Sequence, residues 1–165
     1  MMLKDKVFIV LLLLPFLFGC SNEKNKPQRE VNIQKDEYDL IGRRITSIDS
    51  IVSDRKYGVV FVFNYYDCGN CVDLGFSVTK EIDSLYHERK VAVISTVGSS
   101  SFYQKRNAYY EYVYADSKDL IRKELKYIPT PIMILMDSLN TIRNYILPGT
   151  SDKKEIISFI ESVEN

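Results

Sequence analysis

Cys68-Gly69-Asn70-Cys71 sets two thiols two residues apart, directly after the apolar β-type run Val59-Val60-Phe61-Val62-Phe63 and at the head of a helix-like stretch. Thiols so spaced, at a strand-to-helix turn, lie within one helical turn and can make or break a disulfide. The unpaired N–H groups and partial positive charge of a helix start favour the thiolate of the leading cysteine. That thiolate is the species that attacks a substrate disulfide. Cys68 is therefore read as the nucleophile and Cys71 as the thiol that resolves the mixed disulfide.

Other uses of the pair fit less well. A purely structural bridge across so small a loop removes little unfolded-chain entropy. A zinc site needs two further ligands, yet the chain has only one more cysteine, Cys20, and a single histidine, His87. His87 lies in Leu85-Tyr86-His87-Glu88-Arg89-Lys90 and reads as a solvated residue near a helix end, where cations are favoured. No metal and no cofactor is expected. The 22 basic and 22 acidic residues cancel, so the basic footprint of a nucleic-acid binder is missing. Tryptophan is absent while tyrosine reaches 12; the run Tyr109-Tyr110-Glu111-Tyr112-Val113-Tyr114 suits strand surfaces.

Cys20 has a different setting. Lys4 and Lys6 precede an apolar stretch over 7–18, broken only by Pro15, that ends in Leu17-Phe18-Gly19-Cys20. A basic start and an apolar core of this length make a secretory signal, too short to span a bilayer comfortably. Its end resembles the bacterial lipobox, whose cysteine is lipidated and becomes the first residue of the mature protein. An uncleaved membrane anchor is the alternative. Both place the rest of the chain in the cell envelope, on a membrane and facing the periplasm or the cell exterior, where disulfides persist. Residues 1–19 are thus expected to be a lipoprotein signal peptide. Residues 20–37, polar and charged with Pro27, are expected to be a flexible tether. Residues 38–165 then form one domain of ordinary size.

Within that domain, Leu40, Ile41, Ile45, Ile48, Ile51 and Val52 suggest short strands or a strand and turn, with Gly42-Arg43-Arg44 turning. Residues 57–64 form the first strong buried strand. Val72, Phe76, Thr79, Ile82 and Leu85 recur at helical spacing, giving a helix over about 70–88 with Asp73 in its first turn. A second buried strand covers 91–97, and Gly98-Ser99-Ser100-Ser101 turns into a helix near 102–108. A strand over 111–115 and a short helix over 117–126 follow, the helix capped by Asp116 or Ser117. Two strands, 132–136 and 141–147, are joined as a hairpin by Asp137-Ser138-Leu139-Asn140. Pro148-Gly149-Thr150-Ser151 ends the last strand before an amphipathic helix carrying Ile156, Ile157, Phe159, Ile160 and Val163. This order predicts an α/β fold with a central mixed sheet flanked by helices on both faces. The cysteine pair then lies at the carboxyl end of a central strand, where open α/β sheets carry their chemistry.

The order of elements, with the cysteine pair at that turn, resembles the thioredoxin-like superfamily. It looks most like the membrane-tethered extracytoplasmic thiol-disulfide oxidoreductases, over roughly 38–163. Val59 to Cys71 matches the family's strand running into its C-x-x-C helix. Tyr114-Ala115-Asp116 and the stretch to Pro131 match its strand ending in Asp, short helix and cis-proline loop. Pro131-Ile132-Met133-Ile134-Leu135-Met136-Asp137 matches its proline, strand and turn, and the region 99–115 matches the extra helix and strand of the tethered subgroup. The resemblance implies a cis bond at Pro131 or Pro129, favouring Pro131, and substrate-chain binding by the backbone of Thr130 and Pro131.

Three positions depart from the family pattern. Asp67 stands where tryptophan usually precedes the first cysteine, and Val62 stands where many members bury an acid or Asn. Gly69 and Asn70 lack the frequent proline and add no positive charge. Asp67 reads either as a helix cap or as a redox-tuning charge that works against the Cys68 thiolate. The function expected is disulfide exchange with cysteine-containing envelope proteins, in the reducing direction and fed by an unidentified membrane electron donor. A peroxidase of this fold would show Thr or Ser shortly before a lone cysteine, and Asn64-Tyr65-Tyr66-Asp67 has neither. A non-catalytic binding module on the same scaffold is the alternative, since fold alone does not set function.

Overall fold

Val59–Phe63 is buried at all five positions and forms β1, the middle strand of a five-stranded sheet in the order β3-β2-β1-β4-β5. A strand covered on both faces has no polar side to alternate with, which is why its sequence reads as unbroken Val and Phe. In this computed structural model the described residues are 38–164 apart from 54–56, 88–89 and 97–99. The expected signal peptide, Cys20 and tether lie outside them. The elements after β1 are α2 (Gly69–Leu85), β2 (Val91–Ser95), α3 (Ser100–Arg106), β3 (Val113–Ala115), α4 (Leu120–Glu124), β4 (Ile132–Met136), β5 (Ile142–Ile146) and α5 (Lys153–Glu161), with α1 (Ile48–Ile51) before it. β1, β2 and β3 run parallel, while β4 is antiparallel to both β1 and β5.

The alternation of side chains along each strand divides the interior into two cores. Val60, Val62, Ala92, Ile94, Ile132 and Ile134 face one side, with Ile48 of α1 and Ile121 of α4. Val59, Phe61, Phe63, Val91, Val93 and Met133 face the other, with Val72, Phe76 and Ile82 of α2 and Phe159 of α5. On this second side Phe61, Phe63, Phe76 and Tyr103 pack ring against ring, with centroids 5.4 to 5.6 Å apart. Such contacts add about 0.5–1.5 kcal/mol each beyond area burial. Gly75 lets α2 close on this cluster, because a Cβ there would run into the Phe61 ring.

Several local expectations are corrected. The helix carrying the cysteines ends at Leu85, and Asp73, its fifth residue, lies past the first turn; it pairs instead with Arg106, Nη2 to Oδ2 at 2.6 Å. The strands expected near Leu40 to Val52 reduce to one bridge, Arg44 to Thr141, followed by the short α1. α4 begins only at Leu120. Neither Asp116 nor Ser117 occupies its cap position, which is Asp119 in a left-handed conformation. Asp116 still serves the helix start, accepting from the Leu120 and Ile121 N–H groups at 2.9 and 3.0 Å. The tyrosine run is strand only from Val113 onward; Tyr109 is buried, and Tyr110 and Tyr112 are exposed before the strand begins.

The segment before α1 is fastened by Glu124, the last residue of α4. Its carboxylate accepts from the Thr46 N–H (2.8 Å), the Thr46 hydroxyl (2.6 Å) and the Ser47 N–H (2.9 Å). Burial pushes the Glu124 carboxyl up, but the hydrogen bonds from Ser47 and Thr46 outweigh it and hold the group at about 2, against an ordinary 4.5. A depressed carboxyl contributes stability that is present above its unfolded value and lost as pH falls toward its folded one. The Glu124 contribution should therefore fade between about pH 4.5 and 2. Urea midpoints measured across that window should fall more steeply for the wild type than for Glu124→Gln. Parallel curves would show that the clasp adds nothing.

Candidate active site

β1 delivers the chain into a tight turn over Asn64 to Asp67. The Asp67 N–H donates to the Asn64 carbonyl (3.1 Å), and the Asn64 side chain accepts from the Tyr66 N–H (2.9 Å). Short polar side chains that bond their own backbone suit such turns. Cys68 follows at the N-cap of α2, where no side chain caps the helix, and its carbonyl accepts from Val72 N–H at 3.0 Å. The Cys68–Cys71 pair forms a disulfide, with Cα atoms 5.2 Å apart. Cys68 is exposed and Cys71 is half-buried. Gly69 and Asn70 are the first two residues of the helix. The uncapped N–H groups at this end leave their partial positive charge to the sulfur of Cys68.

Asp67 does not cap α2. Its carboxylate turns back, accepting from the Asn64 N–H through Oδ2 (2.7 Å) and from the Thr130 hydroxyl through Oδ1 (2.8 Å). Burial raises the Asp67 carboxyl above its ordinary range; the Asn64 and Thr130 hydrogen bonds and the charge of Arg122 pull the other way. Thr130 belongs to the loop between α4 and β4, 63 residues further along the chain.

That loop is positioned from two sides. Ile132 pairs with Val62 in the β1–β4 ladder, so Pro131 lies beside the end of β1. The Thr130–Pro131 peptide is cis, and Pro131 is buried. Of the two prolines weighed from sequence, the cis bond is at Pro131. Arg122 donates from Nε to the Ile128 carbonyl (3.2 Å) and pairs with Asp119 at 3.6 Å, anchoring the loop to α4. Lys126 and Tyr127 enter it with φ of 64° and 59°. Two successive left-handed residues other than glycine are disfavoured by the contact of Cβ with the next carbonyl.

Two neighbours of the cysteines were not assigned to the site from sequence. Gly149, in the loop after β5, packs against Cys71; a Cβ there would lie 2.8 Å from the sulfur. The Pro148-Gly149 signal reads only as a strand stop, and nothing local ties it to residue 71. Arg106, at the end of α3, reaches the start of α2, its Nη1 3.7 Å from where a Gly69 Cβ would sit. It brings a positive charge that Gly69 and Asn70 lack, already countered by Asp73. Val62 is fully buried among apolar side chains. Among the described residues no His, Cys, Asp or Glu cluster is arranged to hold a metal ion.

A mixed sheet in this order with a cysteine pair at the β1–α2 turn defines a thioredoxin-like fold. Solved structures agree. The chain superposes on a thiol:disulfide interchange protein assignment, DsbE, from Chlorobium tepidum with TM-score 0.52 and 13% identity, over 68% of this chain and 82% of that one. The thioredoxin domain of a Bacteroides vulgatus thiol-disulfide oxidoreductase gives 0.51 and 15%, over 69% and 84%. A Bacteroides thetaiotaomicron protein assigned as a disulfide isomerase gives 0.51 and 14%, over 68% and 76%. Identities this low show shared architecture. No protein-family model and no curated protein matches the sequence.

The Gly149 contact has a measurable consequence. Gly149→Ala forces its methyl group onto the Cys71 sulfur, an overpacking of the kind that costs about 1–3 kcal/mol. The oxidised variant should unfold at lower urea than the oxidised wild type. The same midpoint in both proteins would mean that the loop yields freely.

Proposed function

We propose that the protein is a thiol-disulfide oxidoreductase of the cell envelope, acting on cysteines of other proteins in the reducing direction. The observation that carries this reading is the Cys68–Cys71 disulfide at a helix start, with Cys68 exposed and Cys71 half-covered. In the reduced protein the Cys68 thiolate attacks one sulfur of a substrate disulfide, and the other substrate sulfur leaves as a thiolate. The Cys71 thiolate then attacks Cys68, restoring the 68–71 bond and releasing the second substrate sulfur. Two electrons pass from protein to substrate, and the leaving thiolates take up protons. The backbone at Thr130 and Pro131 binds the substrate chain beside the pair, and an unidentified membrane electron donor returns the electrons.

Asp67 opposes the Cys68 thiolate, Arg106 is neutralised by Asp73, and Gly69 and Asn70 carry no charge. A weakly stabilised thiolate makes a disulfide hard to reduce, so the couple should lie nearer about −270 mV than about −120 mV. Val62 leaves no ionisable group at that buried strand position, which favours the second reading, a binding module without catalysis. The two are separated by insulin reduction with a dithiol donor. The enzyme reading expects turnover that Cys68→Ser abolishes, and mixed disulfides trapped at Cys68 by Cys71→Ser. Equal rates for wild type and Cys68→Ser would leave the binding module.

The envelope location rests on the sequence of residues 1–37. Attachment in this reading is through lipid on Cys20, on the strength of Leu17-Phe18-Gly19-Cys20; among the described residues no helix is long and apolar enough to cross a membrane. Several acyl chains on one residue hold firmly where one chain holds marginally. Intact mass of the mature protein should begin at Cys20 with added lipid, and Cys20→Ser should block that processing. A mature protein beginning elsewhere without lipid would refute the anchor.

A further inference from the structure

Asp67 and Thr130 are 63 residues apart in the chain, yet their side chains meet at 2.8 Å. The carboxylate is fixed on its other oxygen by the Asn64 N–H, so it is an oriented acceptor and not a swinging one. Thr130 is the residue whose peptide to Pro131 is cis, and its loop is also drawn toward α4 by Arg122 on the Ile128 carbonyl. The cysteine turn and the proline loop are thus joined by a side-chain clasp one residue before Cys68.

We propose that Asp67 is a positioning residue for substrate: by holding the Thr130 hydroxyl it sets the backbone edge of Thr130 and Pro131 at a fixed spacing from Cys68. This rests on the oxidoreductase reading, in which a polypeptide must lie along that edge while its sulfur meets Cys68. The carboxylate then has two separable effects, a charge beside Cys68 and a geometric hold on the loop. The ionisable groups facing it are Arg122 on α4 and Tyr103 on α3, and in the reduced protein the Cys68 thiol follows it in the chain. Arg122 is shared with Asp119, so the charge of Asp67 is only partly offset.

The two effects respond to different substitutions. Thr130→Val keeps the shape and the Asp67 charge but removes the hydroxyl. Asp67→Asn removes the charge and keeps an acceptor for the Asn64 N–H and a partner for Thr130. Thr130→Val should raise KM for a protein disulfide on the order of five-fold, the scale of one net hydrogen bond, with a smaller change in kcat. It should lose more against the protein than against hydroxyethyl disulfide, which has no chain to align. Thr130→Ser, which keeps the hydroxyl, should restore the wild-type KM. Asp67→Asn should instead lower the pH midpoint of Cys68 alkylation.

A carboxyl titration by NMR reads the clasp without any enzymology. Losing the Thr130 hydrogen bond should move the Asp67 midpoint upward in Thr130→Val. An unmoved midpoint overturns the clasp, and a kcat loss in Thr130→Val equal to or larger than its KM change overturns its substrate-positioning role. Wild-type protein inert toward both disulfides would overturn the oxidoreductase reading and the substrate role with it, leaving the titration to decide the contact alone.

Discussion

Val62 and Ile132 face each other across the antiparallel ladder of β1 and β4, and the geometry of the cysteine turn follows from that register. Pairing there leaves Phe63 as the last residue of β1 on one side and Pro131 as the first residue before β4 on the other. Two loops that are remote in sequence must then leave the sheet at the same place. A slip by one residue would turn every side chain of β4 to the opposite core. Both cores are already filled, so the register is held by burial along the whole strand and not by the site. The Asp67–Thr130 hydrogen bond adds local definition to a proximity the sheet has already imposed.

The second core performs a matching task for the helices. The Phe61, Phe63 and Phe76 rings fix how α2 lies over β1, and Tyr103 brings α3 onto the same cluster. The start of α2, and Cys68 with it, inherits its direction from that packing. Tyr103 also donates its hydroxyl to the Tyr65 carbonyl at 3.4 Å, touching the turn that leads to the cysteines. The aromatic side of the domain therefore orients the nucleophile, while the aliphatic side carries the proline loop on α4 and β4.

Much of this was legible in the sequence because burial on both faces writes itself as unbroken apolar runs. Val59–Phe63, Val91–Ser95 and Ile132–Met136 are strands for that reason, and Cys68 to Cys71 fell where a strand met a helical period. The lead-in to α1 carries no strand period, since Leu40 and Ile45 enter one core from irregular backbone while Ile41 between them stays exposed. Asp67 showed its charge but not its direction. A carboxylate before a helix resembles a cap, but the Asn64 N–H and the Thr130 hydroxyl, the latter from 63 residues away, turn it elsewhere. Gly149 and Arg106 touch the site through tertiary contacts alone, which one-dimensional spacing does not encode.

Gly149 covers Cys71 with main chain. A side chain in that place could rotate aside, but main chain fixed between a strand and a helix has no such freedom. In the proposed exchange this gives the two sulfurs different visitors. The outer one is open to whatever diffuses in. The inner one, half-buried beside main chain, is less open than its partner and is met first by a sulfur already tethered to its neighbour. Order of attack is then a matter of access before it is one of reactivity, and a missing alanine methyl is enough to keep the inner seat free.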